Sequence, residues 1–143
     1  MINSILLVDD ENLFHLVFED ACSLLDIALN LEAVSSADEA EKMFRVWMDA
    51  PHGKPDVAFV DLNIIGSSFD GIELIRKINY EYGNGLVIGI ISSSADEEEM
   101  QRAANVGAQF WIVKSDEIEP RLEAFKRDYS SYQARTQPFT SYK

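Results

Sequence analysis

Four short apolar runs in this chain each end on a residue able to do chemistry. Ile5-Leu6-Leu7-Val8 leads into Asp9-Asp10, and Val57-Ala58-Phe59-Val60 leads into Asp61. Leu86 to Ile91 leads into Ser92, and Phe110-Trp111-Ile112-Val113 into Lys114. Three carboxylates converging on one place repel each other and stay ionised together only beside compensating positive charge. A divalent cation supplies it, and Mg²⁺ takes hard oxygen ligands, few of them from protein. Asp10, Asp61 and the backbone carbonyl of Asn63 make a suitable set, with Asp9 holding a bound water. Lys114 adds a second positive charge and Ser92 a hydroxyl donor. Cation, ammonium and hydroxyl are the groups that stabilise the spread charge of a transferring phosphoryl group. Asp61 is then the nucleophile and forms an acyl phosphate. Each residue also has an ordinary role: Asp10 as a helix cap, Ser92 in a turn, Lys114 at the surface. Their recurrence at successive strand ends is what points to a shared site.

That convergence needs elements to hold it. Val57 to Val60 has no polar alternation and is rich in β-branched and aromatic residues, so it reads as a strand buried on both faces. The turn signal Pro55-Asp56 precedes it. The other three runs read alike. Leu29 to Val34 alternates and reads as an edge strand. Between the strands lie helical spacings. Glu11 to Leu25 carries Leu13, Val17, Ala21 and Leu24 on one face. Ser36-Ala37-Asp38-Glu39 is a capping box opening a helix to about Met48, with Ala40, Met43, Phe44 and Trp47 aligned. Pro51 to Pro55 breaks the chain after it. Ile72, Ile75, Ile78 and Tyr82 mark a third helix closed by Gly83. Ser94-Ala95-Asp96-Glu97 caps a fourth, with Met100, Ala103, Ala104 and Val106 inward. Pro120 fits the first turn of a fifth, with Leu122, Phe125 and Tyr129 on one side. Strand and helix alternate five times. Crossovers of this kind are right-handed and give a parallel sheet with helices on both faces. Ligands in such sheets gather at the carboxyl ends of the strands.

Composition narrows the function. A net charge of −13 argues against a nucleic-acid surface, which needs a basic patch. Cys22 is the only cysteine, so no intramolecular disulfide forms and a reducing, cytoplasmic setting is expected, with Cys22 buried on its helix. No apolar run reaches about 18 residues, so no membrane span is expected. His15 and His52 have no partners at metal-ligand spacing and read as surface residues.

Leu7-Val8-Asp9-Asp10-Glu11, the strand Val57 to Asp61, Ser92, Gly107-Ala108 and Lys114, with their spacings, resemble the receiver domain of two-component response regulators over about residues 4 to 130. The resemblance implies a flavodoxin-like (βα)5 fold, a doubly wound, five-stranded parallel sheet flanked by helices. It implies one domain, residues 1–130; the polar stretch from Gln133 with Pro138 reads as part of a flexible C-terminal tail, residues 131–143. Asp61 would take a phosphoryl group from a sensor histidine kinase or a histidine phosphotransfer protein, with Mg²⁺ bound by Asp9, Asp10 and Asp61. Ser92 and the aromatic Trp111 would switch with the phosphate. Asn63 and Ser94 sit where the family tunes the lifetime of the acyl phosphate. The altered surface of helix four, strand five and helix five would then meet a downstream protein target.

The chain departs from the family's pattern in places. Ile65 stands where the family usually has Pro, the Asp61–Gly71 interval is longer than usual, and Ser115 replaces the Pro that follows the lysine. Trp111 is bulkier than the usual Tyr or Phe and harder to bury. None of these removes a catalytic group. The protein is therefore read as a phosphoryl acceptor that catalyses only its own phosphorylation and dephosphorylation. No DNA-binding module is expected after the fifth helix, so a stand-alone receiver or an N-terminal fragment of a longer regulator fits. Two other readings compete. A haloacid-dehalogenase-type phosphatase would carry its nucleophile on the first apolar strand, with a second Asp where Asn63 stands. A pseudo-receiver would bind protein without taking phosphate.

Overall fold

The computed structural model describes residues 2–28, 30–50, 52–81, 85–115 and 117–143. Leu29, Pro51, Tyr82 and Gly83, used above to bound elements, lie outside them. Strands β1 (Ser4–Val8), β2 (Asn30–Val34), β3 (Val57–Asp61), β4 (Val87–Ser92) and β5 (Phe110–Val113) alternate with helices. These are α1 (Asn12–Leu24), α2 (Ala37–Asp49), α3 (Gly71–Glu81), α4 (Glu97–Asn105) and α5 (Ile118–Gln133). All strand pairs are parallel, in the order β2-β1-β3-β4-β5 continued by a sixth strand, β6 (Thr140–Tyr142). The doubly wound α/β architecture is as expected, and the strand count is not.

Why the runs form this sheet is visible in their burial. Every residue of β3 and β4 is buried, while β2 is largely exposed at one edge. Two apolar layers result. One puts α1 and α5 against Ile5, Leu7 and Phe59; the other puts α2, α3 and α4 against Leu6, Val8, Val60 and Trp111. Gly89 makes room for the neighbouring strand, since a Cβ there would lie 2.5 Å from Phe110.

The inward face of α1 is rotated from the predicted one. Phe14, Phe18, Ala21 and Cys22 are buried, whereas Leu13 is 73 % and Leu24 67 % exposed. Two phenyl rings remove more apolar surface from water than the leucines could, and they fix the helix's phase. Phe18 meets Phe59 edge-on at 5.0 Å. The first turn of α4 also differs. Asp96, not Ser94, caps it by accepting from the Glu98 amide at 3.3 Å.

The tail expected to be loose carries a strand. β6 pairs with β5 (Phe110↔Thr140, Ile112↔Tyr142), so the face expected to show β5 at its edge is covered. Its anchors are polar as much as apolar. The Tyr142 hydroxyl donates to Asp128 Oδ2 at 2.6 Å and lies 2.8 Å from the Tyr132 hydroxyl. Lys143 pairs with Glu97 of α4 at 3.1 Å. Tyr142→Ala should therefore destabilise the protein by about 3 kcal/mol, the low end for truncating a buried ring, since this one lies at the edge of the sheet. A thermal melt should fall by roughly 6–10 °C. An unchanged melting temperature would mean that the strand is not docked in solution.

Candidate functional site

Register sets the site. Val8 pairs with Val60, so Asp9 follows β1 beside the end of β3, where Asp61 stands. Asp61 pairs with Ile91, Ser92 pairs with Val113, and Lys114 follows β5. The Lys114 ammonium then reaches back across the sheet. It lies 2.7 Å from Asp9 Oδ2, 3.2 Å from Asp61 Oδ2 and 3.3 Å from Glu11 Oε1. Asp9 and Asp61 are buried, and so is Ser92. The strand-five exit, with Ser115 in place of the family's usual proline, brings the lysine to both carboxylates. Ser115 Oγ accepts from the Glu117 amide and from Arg121 Nη1.

The electrostatics follow. Burial pushes the Asp61 carboxyl from 3.8 to about 6; Lys114 opposes this, and the charges of Asp9 and Asp10 add to it. For Lys114, burial alone would lower the ammonium, but Asp9 and Asp61 outweigh it and the net direction is up. One ammonium facing three acids leaves negative charge over. Asp9 Oδ2, though close to Lys114, has no hydrogen-bond partner of good geometry. Asp9, Glu11 and Asp61 each offer a carboxylate oxygen, all within 4.8 Å of one another. A buried oxygen without an aligned donor in an all-oxygen cluster fits a hard divalent cation.

The remaining site residues fall into place unevenly. Asp10 is not in that cluster: its Oδ2 accepts from the Ile65 amide at 3.3 Å. Nor does it cap α1, whose Ncap is Glu11 with no side-chain cap; Asp9 Oδ1 takes the Glu11 amide at 2.8 Å. Asn63 and Ile65 are exposed in the β3–α3 loop. That loop is tied to α2, where Ser67 Oγ accepts from the Ala37 amide and Asp38 Oδ2 from the Ser68 amide. Gly71 ends it against the site, since a Cβ there would lie 2.2 Å from the Asp61 carbonyl oxygen. Ser92 Oγ accepts from the Ser94 amide at 3.1 Å, and Ser94 Oγ donates to Glu99. Trp111 is fully buried despite its bulk, and its Nε1 donates to the Ser94 carbonyl at 3.0 Å.

Three residues at the site were given no part in it from the sequence: Glu11, quoted only within the acidic motif and as a helix start, Phe14, and His15. Phe14 lies under the Lys114 ammonium, 4.5 Å from ring centroid to Nζ. His15, expected at the surface, is half-buried with Nε2 on the Asp9 carbonyl. Their signal is helical spacing. Phe14 and His15 follow Glu11 by three and four positions, so all three share the face over the end of β1.

Asp9, Glu11, Asp61 and Lys114 meet at one edge of the sheet, and the match to the response regulator receiver domain model spans residues 5–124. The chain belongs to that family. Solved structures agree on the fold. A response regulator from Thermotoga maritima superposes with a TM-score of 0.73 at 23 % identity, covering 92 % of this chain and 100 % of that one. One from Cytophaga hutchinsonii gives 0.78 at 20 % identity, covering 91 % and 98 %. The phosphorylated cyanobacterial phytochrome response regulator RcpA gives 0.70 at 18 % identity, covering 95 % and 96 %. A comparison with curated proteins finds no match. No helix among the described residues of this receiver is long and apolar enough to cross a membrane.

Proposed function

We propose that this receiver domain accepts a phosphoryl group on Asp61 from the phosphohistidine of a sensor histidine kinase or a histidine phosphotransfer protein. The observation that carries this reading is the Lys114 ammonium held at once by Asp9 and Asp61 across the strand ends. A carboxylate oxygen of Asp61 attacks phosphorus. The N–P bond of the donor breaks, its imidazole leaves with the electron pair and takes up a proton, and an O–P bond forms. Lys114 fixes the nucleophile through Oδ2 and stabilises charge on the phosphoryl oxygens. Asp9 and Asp61, with Asp10 or Glu11 and the Asn63 carbonyl, would hold Mg²⁺, which when bound neutralises phosphoryl charge. The protein turns over no other substrate; it catalyses only its own phosphorylation and dephosphorylation, in the cytoplasm.

Two hydrogen bonds support a route from the phosphoryl group to the output surface. When Ser92 turns its hydroxyl to the phosphoryl group, it gives up the Ser94 amide, and the Trp111–Ser94 bond moves with that segment. A few kcal/mol of preference suffices to shift such a population. The surface of α4 and α5, with β5 and β6 between them, then changes toward a downstream protein. Leu13, Leu16 and Val17 are exposed on α1 beside the site, which suits a docking phosphodonor.

Incubation with acetyl phosphate and Mg²⁺ should add about 80 Da to the wild type, one phosphoryl group on an aspartate. Asp61→Asn should abolish the addition. A folded wild type left unmodified by acetyl phosphate and by histidine phosphodonors would favour a protein-binding module that takes no phosphate.

A further inference from the structure

We infer that Phe14 is a positioning residue for Lys114, an inference that rests on Asp61 as the phosphoryl acceptor and deepens that reading. Lys114 ends a flexible four-carbon stem and faces a choice of acids. Asp9 and Asp61 are buried beneath it, whereas the Glu11 side chain is 64 % exposed and draws the ammonium toward solvent. Glu11, Leu13, Phe14, Val17, Ser93, Lys114 and Ser115 line an open cleft, so water has access to the outer side of the ammonium. The face of Phe14 occupies the side turned to α1, at 4.5 Å. That ring does not move freely. It is 8 % exposed, packs on Phe18 at 5.9 Å, and Phe18 in turn meets Phe59 of β3. The phenyl quadrupole attracts the ammonium without competing for its N–H donors, which stay on the acids. An aliphatic side chain of similar size would fill the space and leave the ammonium free to follow Glu11 outward. The contact is thus worth about a tenfold bias toward the inward arrangement.

The test uses the full chain with Phe14→Leu, Phe14→Met and Phe14→Tyr. Labelling of Asp61 is followed by intact mass with Mg²⁺ over a range of acetyl phosphate. Lysine ε-CH2 resonances are recorded on the metal-free protein. The Leu and Met variants should lose about tenfold in maximal rate with little change in the half-saturating donor concentration. Tyr should restore the rate to within about twofold, because the ring face is kept. The Lys114 ε-CH2 protons should be ring-shifted upfield in the wild type and Tyr variant and lose that shift in the others. Should the Leu variant melt below the assay temperature, the Met variant carries the comparison. A folded Leu or Met variant labelled as fast as the wild type, or Lys114 resonances indifferent to the ring, overturns the role of Phe14 while Asp61 keeps its own. A wild type that no donor labels overturns the Asp61 reading and this inference with it.

Discussion

Lys114→Ala is expected to slow phosphorylation of Asp61 by about 10²–10³, the usual loss when one preorganised donor to a developing anion is removed. The size follows from where the ammonium sits. It touches Asp9 and Asp61, both buried, so its charge acts where water screens poorly. Removing it leaves Asp9, Glu11 and Asp61 without that partner, and an incoming phosphoryl group then meets net negative charge. The loss should fall mainly on the maximal rate, because the interaction strengthens as charge shifts in the transition state. Lys114→Arg should not restore it, since a planar guanidinium cannot occupy the gap that an ammonium spans between the two carboxylates. Rates of intact-mass labelling over a series of acetyl phosphate concentrations measure this directly. Wild-type labelling by the alanine variant would remove the lysine from the chemistry.

The strand ends were legible in the sequence because parallel strands buried on both faces leave a continuous apolar signature, and each signature stops at the polar residue that follows it. Asp9, Asp61, Ser92 and Lys114 could therefore be placed before any geometry was known. What was not legible depended on phase or on a partner. The α1 face turned on whether leucines or phenylalanines point inward, and spacing alone gives both. Phe14 at the site follows from that same choice. Asp10 was drawn to a backbone amide by the course of the β3–α3 loop, which hangs on Ser67 and Asp38, contacts with no sequence signature. β6 carries little apolar character. It is a strand because β5 offers an unpaired edge and because Tyr142 finds Asp128 and Tyr132.

The second large effect concerns stability. Asp61→Asn should make the metal-free protein more stable above neutral pH, by about 2 kcal/mol. The carboxyl titrates near 6 in the folded protein against an ordinary 3.8, because burial disfavours its charge more than Lys114 favours it. A difference of about two pH units corresponds to roughly 3 kcal/mol between protonation states. Part is given back in the variant, where Lys114 loses one of its acids. The sign is opposite to that of a salt-bridged surface aspartate. Between pH 3.8 and about 6 the folded state holds more protons than the unfolded one, so this contribution to stability falls as pH rises through that window. The cost is complete above about 6 and absent below 3.8. The advantage of the asparagine variant should follow the same course, large at pH 8 and vanishing near pH 4, a difference of roughly 6 °C in melting temperature at the upper end. Comparing the two proteins cancels the general effect of the −13 net charge, which changes by only one unit. Added Mg²⁺ should raise the wild type more than the variant, since a ligand of the folded state stabilises by mass action and the variant lacks one carboxylate. Denaturant melts at pH 4, 6 and 8, with chelator and with Mg²⁺, measure both. A variant less stable than the wild type at pH 8 with chelator would mean that Lys114 offsets the burial of Asp61 in full. The account of a site strained by excess negative charge would then fail.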